Sequence, residues 1–167
     1  MAVKHIISVL VENEAGVLSR VAGLFSARGF NIESLTVAPV GDGETSRITL
    51  VTAGDDPIIE QILKQLNKLI PVIQVVNLSD GPHVGRELML VKVATERSPQ
   101  EKSLRDEVLN IAHIFRAQVV DATPASLIIE VTGDNDKLNA CLTMLEPFGV
   151  SEVVRTGQVA LARGSRK

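Results

Sequence analysis

Residues that usually perform chemistry are scarce in this chain. Of 167 residues, three are histidine (His5, His83, His113), one is cysteine (Cys141) and four are phenylalanine; tryptophan and tyrosine are absent. One cysteine excludes an internal disulfide and any multi-cysteine metal or iron–sulfur site, so a reducing cytoplasm is the expected compartment. No acid, base and nucleophile converge in any motif. The most promising polar segment is Asn13-Glu-Ala-Gly16-Val17-Leu18. It leaves an apolar run and enters a helical repeat, so backbone N–H groups near Gly16, Val17 and Leu18 are unpaired and suited to a carboxylate. Gly16 admits a close approach to the backbone. The Asn13 amide both donates and accepts. Val17, Leu18 and, across the sheet edge, Ile32 offer apolar contacts. Those are the requirements for holding a small aliphatic amino acid, though asparagine and glycine serve equally well in an ordinary turn.

The elements that position this loop are legible from periodicity. Residues 4–12 put Ile6 and Leu10 on one face and Ile7, Val9 and Val11 on the other, a strand covered on both sides. Val17, Leu18, Val21, Leu24 and Phe25 repeat at helical spacing to Arg28, and Gly29 stands where a C-cap glycine belongs. A strand over about Phe30–Pro39, a turn at Val40-Gly41-Asp42-Gly43-Glu44 and a strand over Arg47–Ala53 make a hairpin. Asp56-Pro57 caps a helix with Ile59, Ile62, Leu63 and Leu66 on one face, ended by Pro71, and Val72–Ser79 is a further strand. This order is the ferredoxin-like βαββαβ motif. After the polar linker Asp80-Gly-Pro-His83 the order recurs. It comprises a strand over Glu87–Ala94 and a helix capped by Ser98-Pro99-Gln100-Glu101 with Leu104, Val108, Ile111, Ala112 and Phe115 on its stripe. Strands over Ala117–Ala122 and Ser126–Val131, a helix over Asn135–Leu145 and a strand over Val150–Thr156 follow, with Gln158–Arg163 as an added edge strand. The fold class is α+β: two ferredoxin-like domains with antiparallel sheets, 1–79 and 86–167, joined by 80–85.

Charge and size narrow the function. Seventeen Lys plus Arg against twenty Asp plus Glu give a net charge of −3, which offers no general attraction to nucleic acid or to an anionic membrane. The first strands lack the aromatics that stack RNA bases on such sheets. No leader and no apolar run of about 20 residues is visible, so a soluble protein is expected. Gly41-Asp42-Gly43 joins two strands and opens no helix, so it reads as a hairpin turn rather than a phosphate loop. Asp55-Asp56 reads as a helix cap, Cys141 as a small core residue, His83 and His113 as surface or packing residues, and Arg163, Arg166 and Lys167 as a solvated tail. A domain of about 80 residues buries only about 60% of its chain surface and leaves sheet edges open, so at least a dimer is expected.

Six segments carry a resemblance. They are Ser8-Val-Leu-Val-Glu-Asn13-Glu-Ala-Gly16-Val-Leu-Ser-Arg20-Val with Gly23-Leu-Phe-Ser, then Arg28-Gly-Phe-Asn31-Ile-Glu-Ser-Leu-Thr-Val-Ala-Pro39, and in the second half Arg86-Glu-Leu-Met-Leu-Val-Lys-Val, Ile114-Phe-Arg-Ala-Gln-Val-Val-Asp121 and Arg155-Thr-Gly. The chain resembles, over nearly its whole length, the small regulatory subunit of acetolactate (acetohydroxyacid) synthase. The resemblance implies that 1–79 is an ACT domain, a valine sensor that pairs with a second copy, and that 86–167 is a regulatory domain. It implies no catalytic centre, cofactor or metal in this chain. The catalytic subunit would be a separate partner carrying thiamine diphosphate, magnesium and FAD, activated by this chain and inhibited through it by valine. Carried over by position, the valine contacts are Asn13, Gly16, Val17 and Leu18 from one protomer with Asn31 and Ile32 from the other, and Ala38 bears on feedback sensitivity. Ala15 stands where many relatives have proline or serine, which bears on affinity through loop stiffness. Glu33 would either touch the catalytic subunit or cap the strand edge. The alternatives are an ACT-type sensor acting on a different biosynthetic enzyme or regulator, and a free-standing enzyme for which no reactive residues can be named.

Overall fold

The computed structural model describes residues 3–95 and 101–164, with side chains throughout except at 101–103. Its elements run β1 (Val3–Glu12), α1 (Val17–Ala27), β2 (Ser34–Val40), β3 (Thr45–Gly54), α2 (Asp56–Leu66), β4 (Val72–Asn77), a 3-10 turn at Leu78–Asp80, β5 (His83–Ala94), α3 (Glu101–Ile114), β6 (Gln118–Ala122), β7 (Ser126–Gly133), α4 (Asn135–Leu145), a second 3-10 turn at Glu146–Phe148, β8 (Val150–Arg155) and β9 (Val159–Ala162). The expected cap at Ser98-Pro99-Gln100 lies outside the described residues.

Two compact units result, one of residues 1–84 with 158–167, the other of 85–157. The first is a four-stranded antiparallel sheet in the order β2-β3-β1-β4. Alternation along β1 sends Ile7, Val9 and Val11 into a core with Val17, Val21, Leu24 and Phe25 of α1 and Ile59, Ile62 and Leu66 of α2. In the second unit the order is β6-β7-β5-β8, and Met89, Val91 and Val93 pack with Val108, Ile111 and Ala112 of α3 and Leu138, Cys141 and Leu145 of α4. Both units are ferredoxin-like, with helices on one face of an antiparallel sheet.

Several expectations are corrected by local chemistry. The strand expected from Phe30 begins only at Ser34. Gly29, at φ +69°, turns the chain left-handed, Phe30 N–H donates back to the Phe25 carbonyl at 3.0 Å, and the two rings meet edge to face with centroids 6.2 Å apart. Phe30 is therefore spent on the helix end. Asp55, not Asp56, caps α2, its carboxylate accepting from Ile58 N–H at 3.2 Å. That helix stops at Leu66, well before Pro71. The expected linker is shorter than 80–85, since a 3-10 turn runs to Asp80 and β5 starts at His83.

The largest departure is the placement of the C-terminal strand. β9 pairs β5, as an added strand was expected to do, yet residues 158–164 group with the first unit rather than the second. Gln158 N–H donates to Ser34 Oγ at 3.0 Å and Arg163 N–H to the Pro82 carbonyl at 2.9 Å. Between them Ala160 is buried against Ile6, Val51 and Leu78, on the face of the first sheet turned away from the helices. The apolar second face of β1 is thus covered in part by the chain's own C-terminal segment.

Candidate functional site

The loop after β1 is held by the β2–β3 hairpin. Asn13 N–H donates to the Glu44 carbonyl at 2.9 Å and its Nδ2 to the Gly43 carbonyl at 2.8 Å, while Glu44 N–H is held by Asp42 Oδ1 at 3.1 Å. Gly41 and Gly43 take φ of +62° and +89°, so the glycine pair makes a hairpin turn, and that turn buttresses Asn13. Sequence reasoning missed this tie, because thirty positions separate the partners.

Gly16 is the N-cap of α1 at φ +87°, with no side-chain cap, and an added Cβ would meet nothing within 4 Å. The first turn of α1 therefore keeps free backbone donors; Val17 N–H makes only a long 3.4 Å bond to the Glu14 carbonyl. Open space above a glycine and unspent N–H groups suit a carboxylate. The two apolar residues here part company. Leu18 is 42% exposed, but Val17 is 3% exposed and its side chain belongs to the core. Only the Val17 backbone is available to a ligand, which corrects the expected apolar contact.

Asn31 and Ile32 lie past the other end of α1. Asn31 is exposed, with its carbonyl accepting from Thr52 Oγ1 at 2.6 Å, and Ile32 is partly buried against the first core. Eleven helical residues span about 16 Å, so within one protomer no amino acid touches both groups. The structure keeps the two sets of expected contacts apart. Ala38 is exposed on the edge strand β2, opposite Arg47 of β3 in the register.

The remaining candidates have ordinary roles. His83 Nδ1 lies 3.0 Å from the Gly81 carbonyl, and His113 is exposed in the last turn of α3. Burial pushes the Cys141 thiol pKa up, opposed by the charge of Lys137. Glu33 pairs with Lys4 at 2.8 Å. Among the described residues no group of three or more His, Cys, Asp or Glu could hold a metal ion, and no helix is long and apolar enough to cross a membrane. An open groove of about 210 Å³ lies in the second unit, lined by Leu90, Lys92, Ile128, Glu152 and Val154, none of them expected from the sequence as ligand contacts.

A ferredoxin-like sheet whose first loop opens a helix on an uncapped glycine, with no reactive side chains around it, is the architecture of an ACT-type domain. A family model described as "AHAS small subunit-like ACT domain" matches residues 7–74, and one described as "Small subunit of acetolactate synthase" matches 86–164. The chain is 51% identical, over 98% of its length and 99% of the relative's, to a protein of Archaeoglobus fulgidus named probable acetolactate synthase small subunit. It is 49% identical to the acetolactate synthase small subunit of Haemophilus influenzae over 98% of both chains. The crystal structure of the acetolactate synthase small subunit from Thermotoga maritima superposes with a TM-score of 0.84 at 38% identity, covering 98% of this chain and 99% of that one. The chain belongs to the acetolactate synthase small-subunit family.

Proposed function

We propose that this chain is the regulatory subunit of a cytoplasmic acetolactate synthase: it activates a separate catalytic subunit, which carries thiamine diphosphate, magnesium and FAD, and confers feedback inhibition by valine. The observation that carries the valine reading is the separation of Asn13–Leu18 from Asn31–Ile32 by the length of α1, with both groups exposed in part and no side-chain cap on the N–H groups that follow Gly16. Two copies related by a two-fold axis would bring the loop of one against Asn31 of the other, giving two equivalent sites per dimer. Asn31 and Ile32 lead straight into β2, an edge of the first sheet, so pairing through that edge puts them at the seam.

At such a seam the α1 amides receive the ligand carboxylate, the asparagines meet its ammonium or carboxylate, and Leu18 and Ile32 meet its branched side chain. No side chain here transfers a proton or forms a covalent bond, and none is required. Inhibition follows from linkage: valine favours the dimer arrangement that activates less, and the catalytic subunit must lower valine affinity by the same factor. Acetolactate formation is to be measured with this chain alone, with the catalytic subunit alone and with the mixture. No activity from the first and a valine-sensitive gain in the third are expected. A catalytic subunit indifferent to this chain would overturn the reading.

A further inference from the structure

We propose that Thr52 is a positioning residue for the Asn31 half of the amino-acid site, holding Asn31 in place from inside the first unit; this rests on the valine reading above. Between the end of α1 and the start of β2, residues 31–33 form neither helix nor strand. Backbone bonds fix the ends of this stretch, Phe30 N–H to the Phe25 carbonyl at 3.0 Å and Glu33 N–H to the Val51 carbonyl at 2.8 Å. Between them, among the described residues, the hydrogen bond that reaches Asn31 comes from Thr52 Oγ1, at 2.6 Å to the Asn31 carbonyl. Ile32 adds only its packing against the first core.

Thr52 is itself well fixed. It lies in β3 opposite His5 of β1, 1% exposed, on the face that carries Ile48 and Leu50 into the core. A valine in its place would extend that apolar stripe with the same shape and leave no hydroxyl to satisfy. The hydroxyl has one proton to give, and it goes to Asn31, although the Nε2 of His5 is buried across the ladder with no partner. Asn31 is exposed, and both backbone anchors beside it survive loss of the hydroxyl. The sheet therefore does not depend on this bond, but the place of Asn31 does. A loop residue already held where the ligand meets it spares binding the entropy of ordering that residue. Without the donor, Asn31 samples other positions and valine affinity falls.

The test compares the full chain as wild type, Thr52→Val, Thr52→Ala and Thr52→Ser by calorimetry with valine, each shown to fold by far-UV circular dichroism. The Kd for valine rises about fivefold in Thr52→Val and Thr52→Ala, the size of one lost hydrogen bond, while Thr52→Ser keeps the donor and stays near wild type. Mixing tells the positioning of Asn31 from general damage. Re-equilibrated with Gly16→Asp, Thr52→Val regains sites of wild-type affinity in the mixed dimers, because one seam then joins an intact loop to an Asn31 held by an intact Thr52. Re-equilibrated with Asn31→Ala, it regains none, since both defects fall on the same half of the site. A folded Thr52→Val or Thr52→Ala chain that binds valine as tightly as wild type overturns the proposal. So does a Thr52→Ser chain as weak as Thr52→Val, or recovery with Asn31→Ala in place of Gly16→Asp. A wild-type chain that binds no valine overturns the valine reading instead.

Discussion

Arg155 closes on both carboxylate oxygens of Glu87, Nε to Oε1 at 2.9 Å and Nη2 to Oε2 at 2.7 Å. Its remaining donors reach α4, at Asn139 Oδ1 (2.9 Å) and Asn135 Oδ1 (2.8 Å). One guanidinium thus ties β5, β8 and the first turns of α4, around a Glu87 side chain only 9% exposed. Removing Arg155 leaves the Glu87 carboxylate desolvated, whereas removing the Glu87 charge leaves a guanidinium that still reaches solvent and both asparagines. Arg155→Met is expected to cost about 3 kcal/mol, Glu87→Gln less, and the double variant Glu87→Met/Arg155→Met less than the sum. Urea unfolding followed by far-UV circular dichroism measures this; single variants as stable as wild type would show the network to be dispensable.

Cys141 gives a pH signature. Burial raises its pKa above the ordinary thiol value, so the folded chain holds the thiol neutral while the unfolded chain ionises as pH rises past that value. The unfolded state then binds fewer protons, and stability falls with rising pH on the alkaline side. A thiol reagent should react slowly at neutral pH until denaturant is added, and Cys141→Ala should flatten this part of the alkaline loss. Rapid modification of the native chain would contradict the buried thiol.

The C-terminal strand is structural for the first unit. Ala160→Asp puts a carboxylate against Ile6, Val51 and Leu78, where the described residues offer no partner in that cluster. A loss of more than about 2 kcal/mol from the first unit's unfolding is expected, as is a comparable loss on deleting residues 158–167. Hydrogen exchange resolves the unit: β1 and β3 should lose protection while α3 and α4 keep theirs. Equal effects on both units would argue against a strand serving the first.

These cases mark how far the sequence carried. Helix α4, Asn135–Leu145, was legible because its apolar stripe stops just before Pro147, and the alternation of β1 placed Ile7, Val9 and Val11 in the first core and Ile6 on the opposite face, though not what covers that face. What failed was non-local. Val159–Ala162 is four apolar residues whose strand pattern says nothing of which sheet they cover. The Asn13–Gly43 tie joins two turns that each make sense alone. Val17 read both as a loop contact and as the first position of the helical stripe, and its burial in the first core commits its side chain to the second role.

A shared site makes a prediction about mixtures. Asn31→Ala should weaken valine binding from across the seam, and Gly16→Asp should weaken it from the loop side. When the two variants are mixed and re-equilibrated, each mixed dimer regains one site with an intact Gly16 and an intact Asn31. Random pairing makes half of the dimers mixed, so about a quarter of wild-type sites should reappear by calorimetry, which also suits a chain with no Trp or Tyr to report binding. No recovery on mixing would place both residues' effects within one protomer.

Gly16→Asp also separates activation from inhibition. At φ +87° any side chain is strained by about 1 kcal/mol, although nothing within 4 Å obstructs it, so strain and charge must be told apart. Gly16→Ala carries the strain alone, and Gly16→Asp adds a negative charge where the free amides of α1 would hold a carboxylate. Valine inhibition should survive, weakened, in the alanine variant and vanish in the aspartate variant, while both activate the catalytic subunit to near the wild-type level. Full inhibition retained by Gly16→Asp would remove the carboxylate from the α1 N-terminus, and with it the reason for an uncapped glycine there.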